Sequence, residues 1–276
     1  MSTFRNETTC VVQLGRYGDI INILPLLRHI HERHGTPVLM VSRQFSDLLE
    51  GVSYVKPWIM DLDYSQLVPA IRRAEDRYDR VIVSQVWGRG YNHPDKGESY
   101  NRDSWQRAGF GHLFDNEQML PVFDKRVMAR ETSVMETLTG PETGVDYIVV
   151  QVTRSASSPY PNGKHLRAMI GLEAAERGIR VVDIADYNAP RLFDLLGLLS
   201  AAQMIVTIDT AILHLAAACP GTPCLAISNN RRWYGSEPRG KSCIPAAYGD
   251  LPEDIRKTLG LMLDRASPLT RAAAPE

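Results

Sequence analysis

Residues 10–31 read CVVQLGRYGDIINILPLLRHIH, and this stretch decides the fold. A short β-branched run, 10–14, stops at Gly15, turns through Arg16, Tyr17, Gly18 and Asp19, and continues as an apolar stretch of helical length. Strand, glycine turn and helix in that order make one βα unit of a parallel sheet. The same grammar recurs along the first half. Strands are expected at 37–41, 53–56 and 80–83, with a helix over 64–77.

Beyond Val83 the pattern breaks into a polar and aromatic stretch interrupted by Gly88, Gly90, Pro94 and Gly97. Long irregular stretches in compact domains tend to be functional loops. A charged helix is expected over 124–136, and Gly140, Pro141 and Gly144 then mark the domain boundary. The second half restarts with a strand at 147–152 and a helix over 164–177 closed by Gly178. Strands at 180–184, 204–208 and 224–227 and a helix over 191–201 follow. The expectation is an α/β chain of two Rossmann-like, doubly wound lobes, 1–140 and 145–276, with a cleft between them. The last helix, 252–264, is a candidate to cross back to the first lobe.

Composition narrows the function classes. The chain has 276 residues, 44% hydrophobic and 23% charged, with 31 basic and 32 acidic side chains. That is ordinary globular composition, long enough for two domains. A net charge of −1 supplies no global basic field for holding a duplex. Cys10, Cys219, Cys224 and Cys243 form no CxxC pair and read as small core residues of a reducing compartment. Neither a signal peptide nor an apolar run of about 18–20 residues is present, so a cytoplasmic protein without a transmembrane segment is expected.

In parallel α/β sheets ligands bind at the carboxyl ends of the strands. Two strand ends stand out. At the first, Gly15 and Gly18 permit a tight turn and Asp19 arrives at a helix start, where a carboxylate serves either as a general base or as a helix cap. The turn lacks both the dinucleotide fingerprint and the P-loop ending. At the second, residues 206–227 (VTIDTAILHLAAACPGTPCLAI), a β-rich run ends at Asp209 and Thr210 and an alanine-rich helix begins at Ala211, with His214 one turn in. Backbone amides at such a start suit a diphosphate, although Thr210 also reads as a cap and His214 as a structural histidine. Arg154 and Lys164 bring positive charge to the same rim. Asp183 and Asp186, at the end of their strand, are candidates for a sugar hydroxyl or for capping.

Three further features deserve separate readings. Asp61, Leu62 and Asp63 spell DxD, two carboxylates of a kind that can hold a metal ion; ahead of a helix the triplet reads as turn and cap chemistry. No His/Cys cluster has zinc spacing either, so no metal is expected. Trp87, Arg89, Tyr91, His93, Tyr100, Arg102, Trp105 and Arg107 mix rings with cations, which suits sugar faces, phosphates or bases, or pins a long loop to its own lobe. Arg231, Arg232, Trp233 and Tyr234 form a second such cluster.

The segments GRYGDIINILPLLRHI, GKHLRAMI and DLLGLLSAAQMIVTIDTAILHLAAACPGTPCLAI together resemble glycosyltransferase family 9, the lipopolysaccharide heptosyltransferase family. Gly15, Gly18, Asp19 and Pro25 follow its early pattern. Asp209, Thr210, His214, Ala216, Ala218 and Pro223 follow the late one. The resemblance implies a GT-B fold and inverting transfer from a nucleotide-diphosphate sugar, without cofactor, to a glycan or other hydroxyl acceptor. It implies that Asp19 is the base, that Lys164 meets donor phosphate and that Asp209, Thr210 and Ala211 wrap the diphosphate. Ala211 replaces the family's glycine. Arg154, His214 and Asp183 join the donor side, while Gly18, Trp87, Arg89, Tyr91 and Arg102 are assigned to the acceptor. A nucleic-acid acceptor, read from Arg89, Arg102 and Arg107, and a nucleotide-binding protein without turnover are the alternatives.

Overall fold

The computed structural model describes residues 8–86, 100–140, 145–155, 160–228, 243–247 and 252–266. These fall into two compact units, one ending at Arg126 and the other starting at Val127.

In the first unit β1 (Thr9–Val12), β2 (Val38–Ser42), β3 (Lys56–Met60) and β4 (Arg80–Val83) form a parallel sheet of order β3-β2-β1-β4. Every residue of β1 and β2 is buried, as expected of strands covered on both faces. Helix α1 (Tyr17–His34) follows β1, and α2 (Leu67–Glu75) leads into β4. Cys10, Val12 and Met40 pack with Leu67, Ala70 and Ala74 of α2. Alternation along β1 turns Val11 to the opposite face. β3 starts at Lys56, where the sequence suggested residue 53. The reason is that Ser53 and Tyr54 are tied elsewhere: the Ser53 amide donates to Asp124 Oδ1 at 2.8 Å and the Tyr54 hydroxyl to the Val122 carbonyl at 2.7 Å. A further helix, α3 (Tyr100–Arg107), emerges from the stretch read as irregular.

The second unit opens with α4 (Met128–Thr139). The units therefore divide ahead of this helix, and the glycine-marked stretch after it joins α4 to the next strand within one unit. The packing explains why. α4 lies against α6 (Leu196–Ala201), where a Cβ on Gly197 would come within 2.9 Å of Glu131 Cβ. The sheet comprises β5 (Tyr147–Gln151), β6 (Arg180–Asp183), β7 (Met204–Ile208), β8 (Cys224–Ser228) and β9 (Cys243–Ala247), all parallel, in the order β6-β5-β7-β8-β9. β9 was not anticipated; it carries Pro245, which an edge strand tolerates.

Helix α5 (Gly163–Ala175) covers this sheet, and α7 (Ala211–Ala216) follows β7. The last helix, α8 (Pro252–Ala266), packs on α5 in its own unit rather than crossing back. Ile255, Leu259 and Leu263 join the core formed by Ile148, Val150, Ile170 and Val206. Beside them Glu173 accepts hydrogen bonds from Arg177 and Arg256, and Arg177 reaches Asp264 at 2.9 Å. Burial works against the charge on Glu173, but the two guanidiniums outweigh it and hold the carboxyl below its usual range. Among the described residues no helix is long and apolar enough to cross a membrane.

Candidate active site

Each sheet has a point where successive crossovers leave in opposite directions, and there the crevice at the carboxyl edge opens. In the first unit it lies between β1 and β4. The Leu14 amide donates to Gln85 Oε1 at 2.8 Å, Gln85 Nε2 donates to the Tyr64 carbonyl at 2.8 Å, and the Gly15 amide donates to Gln13 Oε1 at 3.1 Å. Two buried glutamines thus satisfy the backbone where the ladder ends.

The chain then turns into α1. Arg16 is extended at the N-cap and its amide donates to Asp19 Oδ2 at 2.7 Å. Capping is therefore one function of Asp19. A carboxylate offers about four lone-pair sites, so the bond to the Arg16 amide leaves acceptor capacity for further partners. Asp19 is half-buried, as is Gly18.

Helix α3 packs beside α1. The Trp105 indole donates to the Asn22 carbonyl at 3.1 Å, Asn22 Nδ2 to the Asn101 carbonyl at 3.3 Å, and the Ser104 hydroxyl to the Ser84 carbonyl at 2.7 Å. Tyr100, at the start of α3, is buried next to Asp19. Its phenol is held well above the ordinary tyrosine range by burial first and then by the Asp19 charge and hydrogen bond. Arg102 does not project openly from α3: both its terminal nitrogens pair with Asp115, and its guanidinium stacks 4.6 Å from the Phe114 ring centre. Arg107 pairs with Asp103 at 3.1 Å. The two described members of the suggested basic strip are thus each matched by a carboxylate. Trp87, Arg89, Tyr91 and His93 lie outside the described residues, as do Arg231, Arg232, Trp233 and Tyr234.

The DxD triplet divides between two tasks. Asp61 pairs with Arg43, which holds its carboxyl low; Asp63 caps the turn that follows by accepting from the Ser65 amide at 2.8 Å. Among the described residues no group of three or more His, Cys, Asp or Glu is arranged to hold a metal ion.

In the second unit the crevice lies between β5 and β7. Thr210 is the N-cap of α7, its hydroxyl accepting from the Ile212 amide at 3.3 Å and donating to Gln151 Oε1 at 3.1 Å. Asp209, Thr210 and Ala211 are half-buried, and His214 is buried inside the short helix. The Ser155 hydroxyl donates to the Asp209 carbonyl at 3.0 Å, joining the loop after β5 to this turn.

Lys164 sits exposed in the first turn of α5. Gly163 lets that turn approach closely, because a Cβ there would lie 2.7 Å from the Val152 carbonyl oxygen. Arg154 is exposed and pairs with Asp186 at 2.7 Å. Asp183 pairs with Arg167 and accepts from the Ala185 amide at 3.0 Å; its carboxylate acts as a cap with a cationic partner. The residues that sequence reasoning passed over are Gln13, Gln85 and Gln151. A signal existed for two of them, since VVQ closes the first strand of the second unit, at 149–151, and runs one residue past the end of that of the first, at 11–13.

No protein-family model matches the chain, and no curated protein matches its sequence. Solved structures do match its fold. A glycosyl transferase family 9 protein from Veillonella parvula DSM 2008 superposes with a TM-score of 0.63 at 11% identity, over 96% of this chain and 100% of the other. The ADP-heptose lps heptosyltransferase II of E. coli gives 0.58 at 16%, over 94% and 99%. E. coli heptosyltransferase WaaC, solved with ADP, gives 0.57 at 15%, over 92% and 99%. This chain shares their α/β fold. The α/β fold with parallel sheets that the resemblance implies is thus matched along nearly the whole chain.

Proposed function

We propose that the chain is a GT-B glycosyltransferase that moves a sugar from a nucleotide-diphosphate donor, with ADP-heptose the reference donor, to the hydroxyl of a glycan acceptor. The observation that carries this reading is Asp19: a carboxylate oriented by the Arg16 amide at the reversal point of a parallel sheet, in a fold shared with heptosyltransferases.

In this reading Asp19 takes the proton of the acceptor hydroxyl as that oxygen attacks the anomeric carbon. The bond from that carbon to the diphosphate oxygen breaks, and the configuration inverts in one displacement. Charge gathering on the departing diphosphate is met by Lys164, Arg154 and the amides at the start of α5, with the Thr210 turn against the phosphates. No divalent cation takes part. The engagement of Asp61 with Arg43 and of Asp63 with Ser65 supports that assignment.

The test is a panel of nucleotide-diphosphate sugars screened by thermal shift, because a ligand that binds only the folded state raises the transition. The best donor is then used in a transfer assay with wild type and Asp19→Asn. Binding by both proteins with turnover by wild type alone is expected. Full transfer by Asp19→Asn would reject the base, and absence of binding by any nucleotide would reject the donor class.

A further inference from the structure

The buried carboxamide of Gln151, the last residue of β5, touches both loops of the second crevice. Its Nε2 donates to the Arg154 carbonyl in the loop after β5. Its Oε1 accepts from the Thr210 hydroxyl at 3.1 Å in the turn after β7, and the Thr207 hydroxyl lies 3.3 Å from the same oxygen. Thr210 in turn holds the Ile212 amide. One side chain therefore connects the backbone that carries Arg154 to the hydroxyl that caps α7.

The chemistry of the carboxamide suits this place. An amide presents a donor at one end and an acceptor at the other in one rigid plane. Replacing it by a carboxylate would remove the donor to Arg154; replacing it by an aliphatic chain would remove both ends. Buried polar groups with their partners satisfied fix a single arrangement, whereas partly satisfied ones admit several. Gln13, in the equivalent position of the first unit, also binds across its crevice, accepting from Gly15 and donating to Ser84 at 3.3 Å. The two units share a device, but only the Gln151 copy joins the loops assigned to phosphate.

We propose that Gln151 is a positioning residue for the diphosphate of the donor, acting through Thr210 and the Arg154 loop rather than by touching the ligand. This rests on the reading of the second crevice as the donor site. Its consequence is selective: the diphosphate loses affinity when the clasp opens, while the nucleoside does not.

The experiment measures ADP and adenosine binding by calorimetry for wild type, Gln151→Met, Thr210→Val and the double variant. Met keeps the length and volume of Gln without its hydrogen bonds. For Gln151→Met we expect ADP affinity to fall about tenfold and adenosine affinity to stay within about twofold. Because both variants open one clasp, the double variant is expected to bind ADP no more weakly than the weaker single variant. Undiminished ADP binding by Gln151→Met overturns the proposal. So do equal losses for ADP and adenosine, or fully additive losses in the double variant. Failure of the wild type to bind ADP or any other nucleoside diphosphate overturns instead the donor-site reading beneath it. Should Gln151→Met not fold, Gln151→Asn, which retracts the amide by one carbon, is read against the same expectations.

Discussion

The Cα of Gly15 lies so close to the Asp19 side chain that a Cβ on residue 15 would stand 2.4 Å from Oδ2 and 2.7 Å from Cγ. The glycine is required for contact, since its site is where the carboxylate folds back to reach the Arg16 amide. Gly15→Ala must rotate Asp19 away and break that bond. The expected result is loss of about 1–2 kcal/mol of stability, the usual cost of a cap and an orphaned amide, with a fall in kcat of at least about tenfold. Thermal unfolding and transfer kinetics at saturating donor measure the two effects.

Buried phenols make the fold sensitive to alkali. Tyr147 donates to the Leu198 carbonyl at 2.9 Å, and burial raises it from 10.0 to about 12. Tyr100 is raised as well, by burial and then by Asp19. A folded pKa above the unfolded one contributes stability that is complete below about pH 10 and disappears as pH climbs through the folded value. Urea unfolding between pH 9 and 12 is expected to show falling stability, with Tyr147 contributing on the order of 2 kcal/mol. Tyr147→Phe flattens the decline. An equally steep decline in that variant would reject the assignment.

At the other end of the scale stands Glu173, buried between Arg177 and Arg256 with its folded pKa depressed. The sign is now reversed: its contribution is full above the ordinary carboxylate range and lost as pH falls through the folded value. Glu173→Gln leaves two guanidiniums facing a neutral amide and is expected to cost about 3 kcal/mol at neutral pH. The penalty should shrink as pH falls below the ordinary carboxylate range and wild type begins to lose the charge through its depressed folded value. Denaturant titrations carried down in pH until wild-type stability stops falling test this, and a penalty still undiminished at that plateau would count against it.

The two Asp residues of the DxD triplet give a prediction of independence. Asp61→Asn removes an exposed ion pair, of small value in water. Asp63→Asn keeps an acceptor at the cap. Neither change should alter transfer by more than about twofold, and EDTA should leave wild-type turnover intact. Turnover abolished by EDTA and restored by a divalent cation would contradict the cation-free mechanism.

How much of this was legible beforehand depends on the kind of signal. β1, β2, β5 and β7 lie at or within one residue or two of their expected places because β-branched runs bounded by glycine or charge have few other uses in a parallel sheet. The triad Gly15, Arg16 and Asp19 was legible as a turn into a helix. α3 was not, because its burial comes from the indole–carbonyl bond of Trp105 to Asn22 and the packing of Tyr100 rather than from an apolar stripe. Nor could the sequence reveal that Arg102 and Asp183 are engaged, since Asp115 and Arg167 are distant in the chain. The glutamines at residues 13 and 151 recede for a different cause: a buried amide in a strand end has no periodicity, only partners.

The two cations assigned to the diphosphate should contribute unequally. Arg154 is already paired with Asp186 at 2.7 Å, and both side chains are largely exposed, so its charge is partly compensated before ligand arrives. Lys164 stands in the first turn of a thirteen-residue helix, where its ammonium adds to the positive end of the dipole. Lys164→Ala is therefore expected to weaken ADP binding by about tenfold or more, and Arg154→Ala by about threefold, with adenosine binding unchanged in both. Raising salt from 50 mM to 500 mM should shrink the Lys164 effect, because exposed charges are screened within about 4–14 Å over that range. Calorimetry at the two salt concentrations separates the contributions. Equal losses for the two variants would show that the Asp186 pair opens without cost when the nucleotide binds.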